Sequence, residues 1–261
     1  MRARTWSLKS IMAAAFVFFM CLGLTAGERC HGYILPAEQL IGFMVRNFSA
    51  YETLVITQST LWRDRDRERV FKEEIWMKSP GLYYAKILDP LEEGMEQYDP
   101  SFRQLLLSSG RERIEEVLTA MGVNLQAVAY TRIDGIISYR IGDKGPGTPK
   151  LLIEKERFLP LLLVYRSPGM GPGETVSVRF MDYRKQEKGW YPFEIDYSPG
   201  NDILEKHTIL NFQPNLPVDT SLLRPFEIGP SHIEKPGDRT LPGIEEERLR
   251  KIIKAFEEKY Q

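Results

Sequence analysis

From residue 174 to residue 226 the chain keeps returning to a two-residue period, and that period limits what it can fold into. Val176, Val178 and Phe180 alternate with Ser177, Arg179 and Met181, and Phe193, Ile195 and Tyr197 alternate with Glu194 and Asp196. Alternation of this kind belongs to strands with one face on an apolar interior and the other in water. Lys188-Gly189 and the run Ser198-Pro199-Gly200-Asn201-Asp202 carry hairpin-closing residue types, so the strands are expected to be antiparallel neighbours. The segment reads as a meander, one wall of a larger sheet with no catalytic residue type concentrated along it.

The N-terminus sets the expected compartment. Arg2, Arg4 and Lys9 precede an apolar run over residues 11–24, and Thr25-Ala26-Gly27 follows with small residues. The run is short for a membrane span and suits the core of a cleaved signal peptide, so residues 1–27 are expected to be removed and the protein to be periplasmic. Neither Cys21 nor Cys30 is preceded by the small residue that a lipid-modified N-terminus needs. Cleavage would leave Cys30 alone, which rules out an intramolecular disulfide framework. His31, His207 and His232 are far apart and lack a partner at ligand spacing, so no metal and no cofactor is expected. The formal charge of -1 becomes about -4 without the signal, which gives nucleic acid no electrostatic attraction.

The roughly 230 residues that remain are enough for one domain with a core or a cavity. Pro36 opens a helix whose apolar face is Leu40, Ile41, Phe43, Met44, Val45 and Phe48. Strand periods follow over 52–63, 69–78 and 82–88, and then an irregular or weakly helical stretch over 89–108. Ser109 and Glu112 form a capping box for a second helix with Ile114, Val117, Leu118 and Met121 on one face, and Gly122 stops it. That helix suits a lid or plug, and equally a simple cover for a sheet face. Four further strands, 124–133, 136–142, 150–157 and 159–166, bring the expected total to about ten. A continuous up-and-down sheet of that size must curl to bury its apolar face. The expected fold class is therefore α+β, mainly β, an antiparallel incomplete barrel around helices. Residues 227–242 read as a Pro- and Gly-rich linker, and 243–261 as a charged helix with a stripe of Leu249, Ile252, Ile253, Phe256 and Tyr260.

Enzymatic signatures are sparse. The adjacent pairs Glu73-Glu74, Glu92-Glu93 and Glu115-Glu116 diverge on a strand or helix and read as solvated charge. Gly169-Met170-Gly171-Pro172-Gly173 lacks the Lys-Ser/Thr of a phosphate loop, and no Gly-x-Ser-x-Gly elbow occurs.

The ordered motifs resemble those of the LolA-type outer-membrane lipoprotein carriers. Residues 74–84, Glu-Ile-Trp-Met-Lys-Ser-Pro-Gly-Leu-Tyr-Tyr, are similar to an early hairpin of that family, and 151–160, 180–195 and 217–223 are similar to its later hairpins and closing segment. The likeness runs from about residue 33 to residue 226 and rests on the order of loose motifs, so the domain is drawn as 28–226. It implies a half-barrel around a helical lid, with an apolar cavity for the acyl chains of a lipoprotein or other lipid. It also implies an inner-membrane exporter and an outer-membrane acceptor as partners. Inward candidates for the cavity are Leu54, Ile56, Trp62, Trp76, Val176, Val178, Phe180, Phe193, Ile195 and Tyr197; the lid candidates are Ile114, Val117, Leu118 and Met121. A core filled by the same residues has the same signature. Ser79 stands where the best-known carriers have an arginine before the proline, so a cargo other than a lipoprotein is left open. The alternative function is a lipid-sensing regulatory domain acting on a membrane-anchored partner through the C-terminal helix.

Overall fold

The computed structural model describes residues 34–64, 67–89, 99–167, 174–186, 189–200 and 203–226. The expected signal peptide, the linker 227–242 and the helix 243–261 lie outside the described residues. The described residues from Leu35 to Phe226 belong to one compact unit.

The ten expected strands are all present. They are β1 (Thr53–Asp64), β2 (Arg67–Lys78), β3 (Leu82–Ile87), β4 (Val128–Ile133), β5 (Ile136–Gly142), β6 (Lys150–Glu154), β7 (Pro160–Tyr165), β8 (Val176–Gln186), β9 (Gly189–Pro199) and β10 (Ile203–Pro214). An eleventh, β11 (Arg224–Pro225), is two residues long. All pair antiparallel in a single sheet of order β11-β3-β2-β1-β10-β9-β8-β7-β6-β5-β4. The sheet is open, an incomplete barrel.

The topology differs from the expected continuous meander in one part. The meander is not continuous from β1 to β10, because β3 and β4 do not pair. Instead β1 pairs with β10 over their length, and the chain between β3 and β4 crosses from one edge of the sheet to the other. Alternation fixes which face a residue takes but not which strand lies beside it, so this closure was not readable from the period. The β4–β5 hairpin is closed as expected by Asp134-Gly135, whose φ values of 48° and 82° give the left-handed pair that a two-residue turn needs.

The crossing chain carries a 3-10 helix (Ser101–Leu106) and a helix α2 (Arg111–Ala120); α1 (Ala37–Arg46) precedes the sheet. Leu40, Ile41 and Met44 of α1 and Ile114 and Leu118 of α2 are fully buried. The helices meet closely enough that a Cβ on Gly42 would lie 3.8 Å from Arg111 Cδ. The capping box fails: the N-cap is Gly110, no side chain caps the helix, and Glu112 turns to the Arg111 guanidinium, 2.8 Å away. The stop holds. Val123 N donates to Leu118 O and Gly122 N to Thr119 O, each at 2.9 Å, with Gly122 at φ 86°. This is the Schellman closure that a left-handed residue makes possible.

Candidate functional site

The inner face of the sheet is continuous across strands. Leu54 and Ile56 on β1, Ile75 and Met77 on β2, Val176, Val178 and Phe180 on β8, and Ile195 and Tyr197 on β9 are all at most 2% exposed. Phe180 lies opposite Ile195 and Val178 opposite Tyr197, so these side chains form one patch. Phe193 shares that face at 8% exposure. Of the cavity candidates, Trp62 is half-buried at the far end of the β1 row, with the Arg67 guanidinium 5.6 Å over its ring. Trp76 stands on the opposite face. Ile75 and Met77 take the inward positions on β2, while Trp76 Nε1 donates to Glu74 Oε1 at 2.9 Å and its ring packs 5.7 Å from Tyr84. The lid candidates Ile114, Val117, Leu118 and Met121 are all buried.

Residues 99–107 lie over this face, and every one of them is buried. The Phe102 ring sits 6.1 Å from Phe180, 5.7 Å from Tyr197 and 6.5 Å from the His207 imidazole, against which it stacks. Polar contacts hold the segment at both ends. At one, the Asp99 carboxylate accepts from Ser101 N at 2.8 Å and from Ser167 Oγ at 3.1 Å. At the other, Ser108 N donates to Tyr51 O at 3.0 Å and Ser108 O accepts from Ser79 Oγ. Ser79 thus ties the end of the inserted segment to the β2–β3 turn. The insertion has the form of a plug, an apolar wedge with polar clips.

Below Phe102 the inner face changes character. Gln58 and Thr60 on β1, Glu73 on β2, and Glu205 and His207 on β10 all point inward and are buried, on three adjacent strands. A bulge brings the β10 pair inside: the register with β1 shifts at Thr57/Gln58, leaving Leu210 exposed and turning Ile209, His207 and Glu205 inward. Burial holds the imidazole neutral by pushing its pKa well below 6.5, aided by the nearby Arg103 charge. Gln58 Nε2 then donates to His207 Nδ1 at 2.9 Å and to Glu73 Oε1 at 3.0 Å. The ring's Nε2 faces Glu205 Oε2 at 3.4 Å. Burial raises the Glu205 pKa well above 4.5, and the Glu73 charge adds to the rise.

The plug completes this polar island. Arg103, 3% exposed, donates from Nη2 to Gln58 Oε1 at 3.0 Å. The Gln58 amide therefore stands between opposite charges, its NH2 toward the Glu73 carboxylate and its carbonyl toward the guanidinium. Its dipole is aligned with both, and these partners fix its orientation. Thr60, His207 and Glu205 stand in the order hydroxyl, imidazole, carboxylate, with Thr60 Oγ1 3.0 Å from Nδ1. Yet the Thr60 hydroxyl is wholly enclosed and donates to Glu73, which leaves a substrate no approach.

Sequence reading missed this island. It assigned Glu73 to solvent, whereas Glu73 is 7% exposed. It found no partner for His207 at ligand spacing and gave Arg103 no role. A signal was present: Gln58 and Thr60 continue the inward positions of Leu54 and Ile56, and Glu205 and His207 keep step with Ile209. Among the described residues no group of three or more His, Cys, Asp or Glu is placed to hold a metal ion. None of the described helices is long and apolar enough to cross a membrane.

The open antiparallel sheet with its few helices defines a class of fold, and solved structures resemble it. The chain is similar to a LolA superfamily protein from Nitrosomonas europaea, with TM-score 0.50 and 9% identity, over 72% of this chain and 98% of that one. It also matches a putative outer membrane lipoprotein-sorting protein domain from Vibrio parahaemolyticus (TM-score 0.48, 8% identity, 70% and 94% coverage). A DUF1329 family protein from Desulfovibrio piger matches as well (TM-score 0.47, 11% identity, 71% and 94%). No protein-family model and no curated protein matches the sequence. The fold is LolA-like, in agreement with the resemblance read from the ordered motifs.

Proposed function

We propose that this protein is an exported, non-enzymatic carrier that holds the acyl chains of a lipid or lipoprotein on the inner face of its half-barrel. One observation carries the reading: an apolar inner face is covered by an inserted segment of the same chain, 99–107, clipped in place by a few reversible hydrogen bonds. An extended dry surface is what acyl chains require. A segment that covers it without a covalent tie can give way to a guest that buries comparable apolar area. Leu54, Ile56, Val176, Val178, Phe180, Phe193, Ile195 and Tyr197 form the guest surface, and Ile114, Val117, Leu118 and Met121 move with the covering layer. The LolA-like fold supports the reading, and the signal-like sequence of the N-terminus is consistent with a carrier that works in the periplasm. An inner-membrane exporter that loads the carrier and an outer-membrane acceptor that empties it are the partners this role requires. The protein purified from its native envelope should yield about one lipid per chain when its organic extract is analysed by mass spectrometry. Repeated extraction with no lipid would sink the proposal.

A further inference from the structure

Arg103 is the plug's contribution to the polar island, and its place indicates what the guest brings. We infer that the natural guest presents a hydrogen-bond-donating cation, a protonated amine on an apolar chain, to the place that Arg103 fills; the inference rests on the carrier reading above.

When segment 99–107 gives way, the guanidinium leaves with it. Gln58 Oε1 then loses its donor, and behind it Gln58 Nε2 still holds the Glu73 carboxylate at 3.0 Å. The surrounding inner face is apolar: Ile56 and Ile75 are fully buried neighbours along the same strands, and Ile209 lies directly opposite Gln58. A guest with a purely apolar chain would leave this acceptor without a donor and the carboxylate, still held by Gln58 and Thr60, without a counter-charge, which is costly. A carboxylate or phosphate head would add like charge beside Glu73 and be rejected more strongly. An ammonium group restores both the donor and the counter-charge. Glu205, on the far side of His207, supplies a second inward carboxyl within the same island.

A second observation points the same way. Arg103 fits its place incompletely, because its buried Nη1 has no partner at hydrogen-bond geometry. The planar guanidinium donates at good geometry only from Nη2, to Gln58, with the Tyr191 hydroxyl as its other polar neighbour, whereas an ammonium carries three donors on a compact, rotatable head. The chain's own cation is a provisional occupant, good enough to close the empty carrier and poor enough to be exchanged.

Isothermal titration of the full chain with dodecylammonium, dodecanol and dodecanoate, each below its micelle concentration at neutral pH, tests the inference. Dodecylammonium should bind at least about tenfold more tightly than dodecanoate. In Glu73→Gln that preference should collapse. Arg103→Met removes the competing cation and keeps the apolar stem, so it should bind dodecylammonium several-fold more tightly than the native chain; it serves as the second variant should Glu73→Gln fail to fold. Equal binding of the three probes, tighter binding of dodecanoate, or an ammonium preference that survives Glu73→Gln would overturn the inference and leave the carrier reading standing. Failure of all three to bind would overturn both.

Discussion

Glu205 and His207 occupy inward positions on β10 that hydrophobic residues ordinarily fill, and burial moves their titration in opposite directions. The Glu205 pKa is raised above 4.5, so its contribution to stability is complete below that value and is lost as pH rises through the raised one. The His207 pKa is lowered below 6.5, so its contribution is complete above that value and is lost as pH falls. Between the two ordinary values the effects oppose each other. Glu205→Gln keeps an acceptor for the imidazole and removes the cost of charging a buried carboxyl. At pH 8 it should be more stable than the native protein by on the order of 1–3 kcal/mol in urea denaturation, with the difference shrinking toward pH 4.5. A difference independent of pH would contradict the assignment. Gly189 makes a simpler demand, since a Cβ there would lie 2.5 Å from Cζ of the fully buried Tyr51. Gly189→Ala should cost about 1–3 kcal/mol of stability by the same measurement. Both positions mark what alternation cannot convey. Lys188-Gly189 was readable as a turn but not as the seat of a distant tyrosine, and His207 looked ordinary because the bulge that turns it inward depends on pairing with β1.

The long strands were legible because each repeats an inward and outward choice over many residues, and the short apolar ones such as β6, buried on both faces, because turn residues bound them. β11 escaped notice because two residues carry no period; it exists because Arg224 and Pro225 find the edge of β3 and Phe226 packs 5.1 Å from Tyr83. Trp76, an expected cavity residue, faces outward because Ile75 and Met77 take the inward register of β2. The expected capping box does not form because Ser109 lies one residue before the N-cap, Gly110. At this scale the plug makes the sharpest prediction. Phe102 touches Phe180, Tyr197 and His207, so Phe102→Ala removes the wedge that competes with a guest. It should lower stability by about 3–5 kcal/mol and at the same time tighten the binding of a fluorescent long-chain amphiphile several-fold. Weaker binding in a variant that remains folded would mean that Phe102 belongs to the guest's own surface and not to a competitor.

Across the whole molecule, the closure of β1 on β10 decides how the parts work together. It places the middle of the polar island on the join between the first and last long strands, and it sends the chain between β3 and β4 across the interior, which makes a plug available without a further domain. The expectation of a curled sheet around helices needed only the number of strands and the scarcity of helices. The identity of the covering segment needed the crossing itself, since residues 101–107 carry too short a pattern to reveal what they cover. The central claim is that guest and plug exclude one another on a shared surface. Hydrogen exchange of the backbone amides of residues 101–107, with and without a saturating long-chain amphiphile, tests it most directly. Exchange in that segment should accelerate at least about tenfold on binding while the central strands stay protected; a saturated complex in which 101–107 exchanges no faster, or more slowly, would contradict it.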